Sequence, residues 1–208
     1  MAWISNAIIE LTKAFVYLYK CFGNGDEQMY FCIQVGDPSF SNEKNEEDRS
    51  LADAIESAFI LNTENSIMIW NHICIPLSYK YDVSYMIDDL LKLLSLLQEQ
   101  DSGKIKIEWL PDTFRCDWDI SWTSQNIKIM VDWQHIVGNL EEMLIKVPTL
   151  VVSKEEFMSE WKRLLYKILQ ALTNSKYNVD EIHNMRKLID VYTKISNSGK
   201  LYNENCYQ

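Results

Sequence analysis

The chain has 208 residues, 47% of them apolar, with six Gly, four Pro and a formal net charge of −10. That length allows one large domain or two small ones, and 7 Trp, 11 Tyr and 7 Phe exclude wholesale disorder. The acid excess argues against a dedicated nucleic-acid binder, which needs a basic face. Ile4, Ile8, Leu11, Phe15, Leu18 and Phe22 recur at helical spacing and predict an amphipathic helix over residues 4–22, ended by Gly23 and Gly25. Gln28 to Val35 reads as a strand, followed by a polar, acid-rich loop leading into a helix marked by Leu51, Ile55, Ala58 and Phe59. Residues 67–70 and 72–78 read as strands, and a Leu-rich helix is expected over 82–98 with Asp82 as its N-cap.

Lys104 to Trp109 alternates strictly, as do Asp117 to Thr123 and Ile127 to His135, and the last two read as a hairpin. Val147 to Val152 is a further strand. Ser153 and Glu156 form a capping box ahead of a helix with Phe157, Trp161, Leu164, Leu165, Ile168 and Leu172 on one stripe. A last helix is expected over 179–195, with a polar tail from 196 to 208 that frays. No repeat or linker divides the chain. The expectation is a single α+β domain over 1–208, with a mainly antiparallel sheet and about five helices, two of them C-terminal.

Glu10 and Lys13 interrupt the first apolar stretch, so the start does not read as a secretory signal. No apolar run approaches the ~20 residues of a membrane span. Five scattered cysteines fit reduced, mostly buried thiols. The expected location is the cytoplasm, with no membrane partner.

Charge is unevenly placed. Residues 1–100 carry 6 basic and 15 acidic residues, and residues 101–208 carry 14 and 15. Glu43, Glu46, Glu47, Asp48, Asp53 and Glu56 crowd one segment, relieved only by Lys44 and Arg49. The segment is either an ordinary solvated surface or a docking surface for a basic partner, since clustered carboxylates steer association. On the hairpin, a period of two places Asp117, Asp119 and Ser121 on one face, with Lys128, Met130 and Asp132 on the matching face of the next strand. Asp117, Asp119 and Asp132 are therefore candidates to hold a divalent ion, to meet a partner's Arg or Lys, or simply to form the polar side of a half-exposed sheet. No zinc-like spacing, glycine-rich phosphate loop or nucleophile motif is present, so neither a cofactor nor a catalytic residue is expected.

From Trp133 to Gly138, then Leu150 to Trp161, and on to Gly199-Lys-Leu-Tyr202, the second half of the chain resembles small immunity proteins encoded beside bacterial polymorphic toxins, including contact-dependent inhibition systems. The likeness covers about residues 105–202. It implies a noncatalytic protein that neutralises one cognate toxin by binding, with a basic toxin suiting an acidic inhibitor. That family has no invariant catalytic residues to carry over. Two other readings stand beside it: a metal-dependent hydrolase built on Asp117, Asp119 and Asp132, and a structural or adaptor subunit whose apolar helix at 82–98 faces a second copy.

Overall fold

Two kinds of strand pattern give two different sheets. The structure is a computed structural model that describes residues 30–61 and 64–196. Contacts divide the chain after Tyr30, and every described element lies in the unit Phe31–Gln208. The helix predicted over 4–22 and the tail from 197 onward fall outside the described residues. Strands β1 (Phe31–Gln34), β2 (Asn65–Trp70) and β3 (Ile73–Ser78) form one antiparallel sheet in that order. Strands β4 (Gly103–Trp109), β5 (Phe114–Trp122), β6 (Asn126–Ile136) and β7 (Thr149–Ser153) form a second, also antiparallel and in chain order. The described α-helices are α1 (Leu51–Ala58), α2 (Ser84–Glu99), α3 (Glu141–Leu144), α4 (Lys154–Asn174) and α5 (Met185–Lys194). The fold is α+β as expected, with its antiparallel strands in two sheets rather than one.

The first sheet is built from continuous apolar runs. Phe31, Cys32 and Ile33 are all buried, as are Met68, Ile69 and Trp70, so these strands are covered on both faces. Asn71 and His72, with φ of 45° and 70°, close β2 onto β3 in a two-residue turn. Positive φ at both central positions matches the right-handed twist of the strands. Helix α4 covers β1: Phe157 stacks on Phe31 with ring centroids 4.9 Å apart, and the Ile33 N–H donates to the Glu160 carboxylate at 2.8 Å.

The second sheet follows the alternation in the sequence. Ile107, Trp109, Cys116, Trp118, Ile120, Ile127, Ile129, Val131 and Trp133 point inward and are buried. Trp70 reaches from β2 to join the two sheets. Its ring lies 5.6 Å from that of Trp118 and 5.3 Å, edge to face, from that of Trp133. Its indole N–H donates to the Val147 carbonyl at 3.0 Å, and the Asn71 amide donates to the carbonyls of Val147 and Thr149. Gly103 pairs with Trp122 across the β4–β5 ladder, and a Cβ there would sit 2.3 Å from the Trp122 ring, so only glycine leaves room for it.

Asp82 does not cap α2. The helix is preceded by a π-helical turn, Tyr79–Val83, and the residue that caps this turn is Ser78, whose hydroxyl accepts from the Tyr81 N–H at 3.1 Å. Leu90, Leu91, Leu93, Leu94 and Leu97 of α2 are all buried, each contributing on the order of 1.5–3 kcal/mol by leaving water. The helix packs on α1, α5 and β4 of its own chain, so the buried leucines are covered without the second copy that the alternative adaptor reading invokes. The last helix is shorter than its expected span of 179–195. Residues 179–181 form a turn rather than helix, and His183 makes an isolated parallel bridge to Ser50. Asn184, at φ 67°, then redirects the chain into α5.

Candidate functional site

The two acidic clusters differ in construction. The loop at 41–49 is shaped by its own polar side chains. The Ser41 hydroxyl accepts from the Glu43 N–H at 3.2 Å, and the Asn45 side chain accepts from the Glu47 N–H at 3.1 Å. Such local bonds favour turns over helix. The end of α4 and the segment after it then pin the loop along its length. Asn174 and Ser175 donate to the Ser41 carbonyl at 2.8 and 2.9 Å, the Asn45 N–H donates to the Tyr177 oxygen at 3.1 Å, and the His183 N–H donates to the Arg49 carbonyl at 3.0 Å. Lys44 lies 2.8 Å from Glu181 and 3.2 Å from Glu46; the bonds to Glu181 and then Glu46 raise its pKa.

This construction sorts the candidate residues. Glu43, Glu46 and Glu47 are exposed, and Glu56 is exposed on α1. Asp48 is not part of that surface. It is only 7% exposed, and its carboxylate accepts from the Asn45 amide at 2.9 Å and from the Tyr177 hydroxyl. Burial, and then the Asp48 carboxylate, push the Tyr177 phenol above its ordinary range. Asp53 is exposed but occupied, because it forms a capping box with Ser50 at the start of α1. Its bond from Ser50 holds its pKa below the usual carboxylate value.

The second cluster lies on the outer face of the β4–β7 sheet, where the register sets the charges in rows. Lys104, Ser121, Lys128 and Val151 lie side by side; next come Lys106, Asp119, Met130 and Thr149; then Glu108, Asp117 and Asp132. Asp117 and Asp132 do face each other, as the in-register hairpin required, but Asp119 faces Met130. Like charges opposed across strands cost up to about 1 kcal/mol a pair. Here Lys106 relieves them: its ammonium lies 2.8 Å from Asp117 and 3.4 Å from Glu108, and its pKa is raised, first by Asp117 and then by Glu108. Gln134 adds a bond to Asp117 at 3.2 Å. A shallow open groove of about 410 Å³ runs over Lys104, Lys106, Ser121, Lys128 and Met130. The face is thus mixed, with Lys104, Lys106 and Lys128 among its acids, and it is not a uniformly anionic surface.

Among the described residues no group of three His, Cys, Asp or Glu side chains is placed to hold a metal ion, and no helix is long and apolar enough to cross a membrane. Cys32 and Cys116 are buried and Cys74 is half-buried; burial pushes the thiols of Cys74 and Cys116 up. Compared with protein-family models, curated proteins and solved structures, the chain matches none.

Two residues that matter to these surfaces were not anticipated. Tyr177 lies in a polar stretch between helices with nothing local to mark it as the anchor of a loop 129 residues earlier. Lys106 was legible: alternation places Lys104, Lys106 and Glu108 on one face of β4, and extending the sheet by one strand brings that face beside Asp117.

Proposed function

We propose that the protein is a noncatalytic binding protein of the cytoplasm, an immunity-type inhibitor that neutralises a cognate basic toxin by direct contact, with the 41–49 loop as the contact surface. The observation that supports this reading is the way the loop is held. Glu43, Glu46 and Glu47 project from a backbone tied to Asn174, Ser175, Tyr177 and His183, so little conformational freedom remains to be lost on binding. Glu56 extends the same charge onto α1. The resemblance across residues 105–202 points to the same class of protein. The outer face of the second sheet sets Lys104, Lys106 and Lys128 among its acids, whereas among the described residues Glu43, Glu47 and Glu56 form no ion pair beside the Lys44–Glu46 pair of the loop.

The test has two parts. The chain is co-expressed with the product of the adjacent gene, and growth is scored with and without it. Association of the purified pair is then followed by stopped flow from low to high salt. Replacing Glu43, Glu46 and Glu47 together by Gln is expected to slow association about tenfold at low salt, the lower end of what steering provides, and to change little at high salt where charges are screened. Rates indifferent to both salt and substitution remove the loop from the interface. A harmless neighbouring product overturns the toxin reading itself.

A further inference from the structure

Two carboxylates are buried around Ser78, where β3 meets the π-helical turn. Asp82 is 1% exposed and Glu64 is 5% exposed. The Ser78 N–H donates to one oxygen of Asp82 at 2.8 Å, and the Ser78 hydroxyl donates to Glu64 at 3.1 Å. The Thr113 hydroxyl, on the loop before β5, lies 2.5 Å from the other oxygen of Asp82. The second oxygen of Glu64 is buried and has no hydrogen-bond partner. Among the described residues neither carboxylate forms an ion pair with Lys, Arg or His. The charged groups nearby are turned elsewhere. Lys80, on the turn itself, donates to the carbonyls of Glu56 and Phe59 at the end of α1, and Arg115, beyond Thr113, pairs with Asp112. Two buried negative charges without a counter-charge cannot both persist at low cost.

We propose that the π-helical turn ahead of α2 is a proton-operated joint: Asp82 carries a proton in the folded chain, and losing it to solvent leaves a buried charge beside Glu64 that favours opening of the turn. The protonated Asp82 donates to the Thr113 oxygen while its other oxygen goes on accepting from the Ser78 N–H, so neutralisation breaks no bond. Burial first, and then the Glu64 charge, raise the Asp82 pKa, against the pull of the bonds from Thr113 and Ser78. The sign follows: a raised folded-state pKa stabilises fully below the ordinary carboxylate value, and that stabilisation is lost as pH rises through the raised value. Ser78 ends the first sheet and Thr113 leads into β5 of the second, so opening of the turn releases a link between the two sheets beside the apolar α2.

The joint is tested by thermal unfolding of the whole chain across pH 4 to 9 for wild type, Asp82→Asn and Glu64→Gln. The melting-temperature gap between Asp82→Asn and wild type is expected to widen in favour of Asn with rising pH, by about 3–5 °C per pH unit over the titration, the slope of one proton in a chain of this size. Glu64→Gln moves that titration to lower pH, because it removes the neighbouring charge. A gap that is constant with pH overturns the proposal, and a titration unmoved in Glu64→Gln overturns the pairing with Glu64. Should Asp82→Asn fail to fold, amide exchange of residues 79–84 in the wild type decides. After correction for the intrinsic rate, their protection must fall with pH faster than that of β5; equal slopes reject the joint.

Discussion

Asp48 and Asp53 lie five residues apart in the same acidic stretch and do opposite things with their charge. Asp53 spends it on the first turn of α1, where Ser50 and Asp53 satisfy each other's backbone N–H groups. Its folded pKa is depressed from 3.8, so its contribution is present above that value and fades as pH falls through the lowered one. Asp48 is taken inside and bound to Tyr177. Removing the phenol oxygen leaves a buried carboxylate short of a donor, so Tyr177→Phe is expected to lower stability by about 1–3 kcal/mol in urea unfolding. The same substitution should raise amide exchange across residues 41–49. Unchanged exchange there would show that the remaining bonds, from Asn174 and Ser175 to Ser41, hold the loop unaided.

Gly103 shows how an element's path depends on one missing atom. The Trp122 ring lies over its Cα, and an added Cβ at 2.3 Å forces the indole or the strand to shift. Gly103→Ala is expected to cost about 1–3 kcal/mol, the range for overpacking, read as a lower denaturation midpoint with a changed Trp fluorescence maximum. An unchanged midpoint would mean that the end of β4 yields freely. The same sheet marks how far the chain could be read from its residues. The period-two alternation of Ile105 to Trp109 and of Cys116 to Trp122 fixed which side of each strand is buried, because one face packs and the other meets water. The alternation cannot say that Phe31 to Ile33 belongs to a separate sheet, since a continuous apolar run carries no face. The two-residue turn at Asn71-His72 was missed for a related reason: His accepts positive φ only at a cost, so the residues lack the glycine that normally marks such a turn. Helix α3, at four residues, is too short to show a period. The start of α2 was misplaced because Asp82 carries the local signature of an N-cap, while its tertiary surroundings, Thr113 above all, take it into the interior.

At the scale of the molecule, Trp70 carries the load between the sheets. It is fully buried, touches Trp118 and Trp133, and ties the start of β7 to the β2–β3 turn. Trp70→Ala is expected to cost about 3–5 kcal/mol, measured by chemical denaturation, and Trp70→Phe less, since it keeps an aromatic ring and gives up chiefly the bond to Val147. Equal losses for both would assign the joint to that hydrogen bond rather than to the rings. The distribution of charge reads differently at this scale as well. The described acids of the first hundred residues do not form one surface, because the fold draws Asp48, Glu64 and Asp82 inside and leaves Glu43, Glu46, Glu47 and Glu56 outside. Glu160 extends this use of carboxylates to the behaviour of the chain in a crowd. Its oxygen takes the N–H of Ile33, 127 residues away in sequence, on the side of β1 where no other described strand pairs. A strand added on that side would have to displace the Glu160 carboxylate from the amide it needs, so the run of Phe, Cys and Ile is guarded at that position by a residue of a helix rather than by anything in the strand itself.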